Sequence, residues 1–169
     1  MFLLIVIIVL ISAYILLGMC LPSSITLSNH LNMLGNLKVI YERIEDFNHW
    51  SDWAIWNEDN SMEITIPKPA KGVSAQYIWK SKIKEIKHGS LTLINSSADH
   101  FLIYEFCYDK LKRGELFFDL EAKEAGTFVK CSITIQNKRK IFSRYFLYFN
   151  RKSIIYNIHE FLLKIDRGI

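Results

Sequence analysis

The chain has 169 residues and a formal net charge of +4, yet none of its 21 Lys and Arg or 17 Asp and Glu occurs before Lys38. Setting aside an uncharged N-terminal stretch leaves about 148 residues, enough for one domain with one core and too few for two. Three cysteines, Cys20, Cys107 and Cys131, lack CxxC spacing. Buried free thiols at Cys107 and Cys131 are therefore expected ahead of a disulfide or a metal site.

Residues 2–21 are uncharged and predominantly apolar, and about 20 such residues at about 1.5 Å each match a hydrocarbon core of about 30 Å. A transmembrane anchor is expected here. A cleaved signal peptide would need a positive start, a shorter apolar run and a small-residue cleavage site, none of which is clear. A lipoprotein signal is disfavoured by bulky Met19 before Cys20. With no Lys or Arg ahead of the anchor and Lys38 and Arg43 nearest behind it, the charge rule leans slightly towards a cytoplasmic domain.

Pro22, Ser23 and Ser24 close the anchor. Ile25, Leu27, Leu31 and Met33 then alternate, interrupted by Asn29, which predicts a first strand ending near Gly35 and Asn36. From Leu37 the period becomes helical through Ile40, Tyr41 and Ile44, and a second short helix is predicted over 47–54. Trp50 and Trp53 lie one turn apart in it, with Trp56 just beyond. More strands are predicted at 62–66, 73–80, 90–96, 101–108, 115–123 and 127–136. Pro67, Pro69 and Gly72, His88-Gly89, Ala98-Asp99, Arg113-Gly114 and Ala125-Gly126 read as the turns between them. Such short connections imply an antiparallel meander.

Helical spacing returns after residue 141, with a break near Asn150-Arg151-Lys152-Ser153. A short aromatic piece over 141–149 is expected, then a true helix from about Ser153 to Gly168 with Ile154, Ile158, Phe161, Leu162 and Ile165 on one face. The order is α+β: a curved antiparallel sheet of about seven strands, two short helices after the first strand, and a long C-terminal helix that covers the sheet. The anchor at 2–21 and a domain at 24–169 complete the organisation.

Several motifs in this order carry a resemblance. Asp46-Phe47-Asn48-His49-Trp50-Ser51-Asp52-Trp53-Ala54-Ile55-Trp56 with the acidic loop at 57–59, the strand Gly72-Val73-Ser74-Ala75-Gln76-Tyr77-Ile78-Trp79, Gly89-Ser90-Leu91-Thr92-Leu93-Ile94, Gly126-Thr127-Phe128-Val129 and Ile165-Asp166-Arg167-Gly168-Ile169 resemble stretches of the START-like, helix-grip superfamily, also called SRPBCC. Within it they look most like the polyketide cyclase/dehydrase and lipid-transport group. The sequence departs from the family pattern at Gly35-Asn36-Leu37, where Ala-Pro is usual, at Ser74, where a second Gly is usual, and at Ile55, where Pro is usual.

The resemblance implies a cavity between the sheet and the long helix that takes lipids, sterols, polyketides or similar apolar molecules. Pockets of that kind are mostly apolar with a few placed polar groups. The ligand-facing candidates are the strand residues Tyr77, Trp79, Tyr104, Phe106, Phe117 and Asp119 and the helix residues Tyr156 and His159. Aromatic strand residues also pack cores, and a slip of one residue exchanges the whole set. The tryptophans are expected to be a packing cluster that fixes the short helices.

Catalysis is disfavoured. His30, His49, His88, His100 and His159 are scattered, and no HExxH, GxSxG, P-loop or zinc pattern occurs, so neither a metal nor a cofactor is expected. A His159–Asp119 pair inside the cavity would be the smallest kit for cyclase-like chemistry. A module with a filled core and no ligand is the remaining alternative. Lys138, Arg139, Lys140, Arg144, Arg151, Lys152, Lys164 and Arg167, interleaved in part with aromatic residues, suit contact with anionic headgroups or a solvated helix face better than nucleic acid. The expected partners are a membrane and a lipid or other hydrophobic small molecule.

Overall fold

Alternating side chains build the sheet, and a change to helical period at either end of it supplies the covering elements. The computed structural model describes residues 2–53, 61–82, 88–108, 112–136 and 141–167. In chain order they form α1 (Phe2–Cys20), β1 (Ser24–Met33), α2 (Leu37–Glu45), a 3-10 turn (Phe47–His49) leading into α3 (Trp50–Trp53), β2 (Glu63–Thr65), β3 (Gln76–Lys80), β4 (His88–Ser97), β5 (Phe101–Tyr108), β6 (Lys112–Lys123), β7 (Gly126–Gln136) and α4 (Ile141–Arg167). Trp56, the acidic loop at 57–59 and the expected helix stop at Gly168 lie outside the described residues.

The seven strands form one antiparallel, curved sheet in the order β1-β7-β6-β5-β4-β3-β2. A register shift between Leu93 and Asn95 interrupts the β4–β5 ladder, the kind of irregularity that bends a strand. One face of the sheet carries the core: Leu27 and Met33 of β1, Leu116, Phe118 and Leu120 of β6, Val129 and Cys131 of β7.

α4 lies along β1 and closes this face with Ile158, Phe161, Leu162 and Ile165. Two contacts fix its position. Asn29 Nδ2 donates to Ile155 O at 3.4 Å, and Leu34 N donates to Asp166 Oδ1 at 3.3 Å. Asn29, the interruption in the first strand's alternation, is thus an inward group tying β1 to α4.

The departures from the family pattern have local accounts. Asn36 caps α2 by accepting from Lys38 N at 2.9 Å, and the buried Thr127 hydroxyl donates to Gly35 O at 2.9 Å. Ser74 takes φ 77°, a left-handed conformation that favours glycine. Gly126 has φ 139°, and a Cβ there would strike the Met33 carbonyl.

Three expectations are corrected. α4 runs unbroken from Ile141, through the expected break at Asn150–Ser153. β3 begins at Gln76 rather than residue 73, because Gly72 and Ser74 turn the chain just before it. Gly89 and Gly114 are not turn residues but lie within β4 and β6, paired with Trp79 and Phe106.

α1 is long and apolar enough to cross a membrane. Of its residues only Gly18 is buried, so it is no core helix of the domain.

Candidate functional site

The interior between sheet and α4 is filled unequally. At its centre Trp50 packs among Phe47, Trp53, Tyr77 and Tyr104 with ring centroids 4.6–5.8 Å apart, and Trp53 meets Phe161 at 5.0 Å. Phe47, Trp50, Tyr77 and Tyr104 are wholly buried. Aromatic groups in tilted and edge-on contact of this sort contribute both burial and specific geometry.

Asp46 starts the arrangement by accepting from Asn48 N at 2.9 Å, capping the 3-10 turn. Trp50 Nε1 and Tyr104 Oη then both donate to Ile44 O, at 2.9 and 2.7 Å. This carbonyl belongs to the last turn of α2, where helix carbonyls lack an internal partner. The tryptophan pattern therefore fixes the short helices onto the sheet, as a packing cluster should.

Towards the end of the sheet where β1 leaves α1, the filling changes. Tyr77 shares an inward row with Leu91, Phe106, Gly114, Ile135 and Ile25, and Trp79 lies in the next row with Gly89. The rings of Trp79 and Phe106 lie over Gly89 and Gly114, occupying the space a Cβ would take. Both are only half-buried, as are Ile25, Ile133, Ile154 and Ile155 against the same core. Among the described residues, apolar side chains from sheet and helix thus pack against the core here while staying partly exposed.

Of the sequence-predicted ligand residues, Tyr77, Trp79, Tyr104 and Phe106 face inwards together. Phe117 and Asp119 do not, because Leu116, Phe118 and Leu120 take the inner positions of β6. Phe117 instead meets Phe101 at 6.2 Å on the outer face, and Asp119 is exposed opposite Lys130. Tyr156 is exposed on the outer side of α4. His159 is partly buried, and its Nδ1 has no hydrogen-bond partner among the described residues. With Asp119 turned away, the two do not form an acid–base pair.

Burial sets the electrostatics. It holds the Tyr104 phenol well above its ordinary value of 10.0, with the nearby Glu45 carboxylate adding to the shift. Tyr41 is raised mainly by burial, and burial also pushes the Cys131 thiol far up. Each is a neutral group held neutral, rather than an activated acid or nucleophile. Among the described residues no three His, Cys, Asp or Glu converge as metal ligands.

Sequence patterns missed a further set of contacts, where α4 meets α1. Arg144 Nη1 donates to the carbonyls of Gly18, Met19 and Leu21 at 3.4, 3.3 and 3.2 Å. Tyr145 stacks on Tyr14 with centroids 4.7 Å apart, and its hydroxyl donates to Tyr14 O at 2.7 Å. The available signal was Gly18, the glycine near the end of an apolar helix, since small residues let a second helix approach.

Comparison with solved structures agrees with this architecture. A polyketide-cyclase-like protein from Corynebacterium glutamicum matches with a TM-score of 0.59 at 18% identity, over 86% of this chain and 91% of that one. The fold is the helix-grip fold. The di-domain ARO/CYC protein StfQ of the steffimycin biosynthetic pathway matches with 0.60 at 10% identity over 85% of this chain, which spans 50% of that protein. The Aha1 dimer from Colwellia psychrerythraea gives 0.56 at 14% identity, over 84% and 93%. No protein-family model matches the chain, and no curated protein matches it.

Proposed function

We propose that the chain is a membrane-tethered domain of the START-like superfamily that takes up a lipid or other hydrophobic small molecule between the α1-side end of its sheet and α4, without transforming it. The observation that carries this reading is the unequal filling of the interior. The centre is closed by the Trp50 cluster, whereas the end beside α1 is lined by half-buried Trp79 and Phe106 together with isoleucines of β1, β7 and α4. A convergent apolar surface of that kind suits a ligand with little polar character. The apolar α1, which joins the domain at this same end, supports the tether and gives it a source of such ligands.

A cyclase- or dehydratase-like reaction in the same place is the second reading, favoured by the names of the polyketide-cyclase-like and ARO/CYC neighbours. The side chains weigh against it. Tyr104 is committed to Ile44 O, Asp119 faces outwards, and His159 Nδ1 has no hydrogen-bond partner among the described residues.

The test is to express residues 24–169 alone, whose core cluster includes no α1 side chain, and to analyse an organic extract of the purified domain by mass spectrometry. A hydrophobic molecule in near-stoichiometric amount is expected, together with its loss from the Trp79→Ala and Phe106→Ala variants. A folded domain that yields a clean extract and captures no fluorescent fatty acid refutes ligand binding. Chemical conversion of the captured molecule on incubation would instead favour the enzyme.

A further inference from the structure

The first half of α4 presents an aromatic stripe in the wrong place for a surface helix. Phe142, Phe146 and Phe149 fall at helical spacing on one side, and Phe142 and Phe149 are 73% and 74% exposed. Leu147, Ile158, Phe161 and Leu162 pack inwards from the opposite side. A helix of a soluble domain carries polar residues on its outer side, so exposed rings in a row call for an occupant.

The neighbouring helix says what that occupant is. Tyr14 of α1 stacks on Tyr145, and Tyr145 stacks on Phe149 with centroids 6.5 Å apart, so the stripe is continuous with the exposed apolar surface of α1. The Tyr145 hydroxyl reaches the Tyr14 carbonyl, and the stretch from Tyr14 to Cys20 rises about 9 Å. That is the depth, about 5–10 Å, to which interfacial helices bury their apolar side. Arg144 donates to the carbonyls of Met19 and Leu21 where α1 ends, and Arg151 lies over the Tyr148 ring at 4.7 Å, where the stripe ends. Aromatic and basic residues together are the composition that settles at that boundary.

We propose that the first turns of α4 are a second membrane-contact element, seated in the lipid headgroup and upper acyl region beside the α1 anchor. The inference rests on the reading of α1 as a membrane span. Its consequence is orientation: the domain is held at two points, with the Trp79 and Phe106 end turned towards the bilayer. Lipid rather than a second copy of the chain is the occupant, because the stripe runs directly into a surface that itself requires lipid.

The experiment uses the full chain in phosphatidylcholine vesicles, with Cys20→Ser and Cys107→Ser removing the accessible thiols and Cys131 left in the core. The fluorophore NBD is attached to a single new cysteine from Phe142→Cys, Phe146→Cys, Ile8→Cys or, at the end of the sheet remote from α1, Glu121→Cys. All these side chains are exposed, so labelling leaves the core intact. Probes at 142 and 146 are expected to shift to the blue and lose most of their emission to nitroxide-bearing lipids, as the probe at 8 does. The probe at 121 should respond only to aqueous iodide. If 8 responds to lipid while 142 and 146 behave like 121, the docking proposal fails and the tether stands. If 8 also behaves like 121, both fail. Shielding of 142 and 146 from both quenchers would reveal a protein partner and overturn the proposal. Ligand capture by the isolated domain is measured separately and is unaffected by any of these results.

Discussion

The Ile44 carbonyl is where the short helices, the tryptophan cluster and the sheet are joined, since Trp50 Nε1 and Tyr104 Oη donate to it together. Removing one donor leaves the other in place. Tyr104→Phe should therefore cost about 1 kcal/mol, the net worth of one hydrogen bond, rather than the larger penalty of an orphaned buried carbonyl. The same substitution has a signature in alkaline solution. Burial raises the Tyr104 phenol in the folded state above its ordinary 10.0, so above that pH the unfolded chain releases a proton that the folded chain retains. The Tyr104 contribution to stability is then complete below about pH 10 and declines as pH climbs towards the folded-state value. Urea titrations between neutral pH and pH 11 should show this decline in the parent and a shallower one in Tyr104→Phe, with Tyr41 and the Cys131 thiol, both also raised, supplying the remainder. Equal slopes in the two proteins would mean that Tyr104 is not held neutral by its surroundings.

At the scale of elements, α4 separates two accounts of the C-terminal region. If a new helix began near Ser153, proline would be tolerated there as in a first turn. In the unbroken helix observed, Ser153 is interior and exposed. Ser153→Pro removes a backbone donor and sets its ring against the preceding turn, so a loss of about 3 kcal/mol is expected in denaturant titrations. A neutral result would restore the break. The continuity was hard to read because the two halves of α4 pack on different things. Ile158, Phe161 and Leu162 follow a single face towards the sheet, whereas Ile141 and Tyr145 turn to Gly18 of α1 and Phe142 and Phe149 turn outwards, so the apolar period dissolves. A similar confusion affected β6. Its run Leu116-Phe117-Phe118 is apolar on both faces, and reading Gly114 as a turn residue concealed its pairing with Phe106, which puts Leu116 opposite Tyr104 on the inner side. Where polar and apolar residues alternated with a single interruption, as in β1, or caps and aromatic spacing agreed, as at Asp46 and Trp50, the elements and the cluster were legible without coordinates. The contacts between Arg144, Tyr145 and α1 were not, because they join residues more than a hundred positions apart with no shared period.

For the whole molecule, the distribution of buried residues separates folding from location. The core cluster runs from Leu27 to Ile165, and no α1 side chain belongs to it. Among the described residues, α1 meets the start of α4 through Gly18, Tyr14 and the carbonyls that accept from Arg144. Deleting residues 1–21 should accordingly leave a domain that unfolds in one cooperative step with the sheet's circular dichroism intact. Hydrogen exchange should nevertheless speed up across 141–148, where the helix loses its neighbour, and remain slow over Ile158–Ile165, which packs on β1 and the Trp50 cluster. Loss of cooperative unfolding in the truncated chain would show that α1 is part of the folding unit rather than a tether. Uniform protection along α4 would show that its first turns are held by the sheet alone. A gradient of protection is the pattern that follows from one helix serving two neighbours, its second half closing the interior and its first half meeting the segment that fixes where the domain resides.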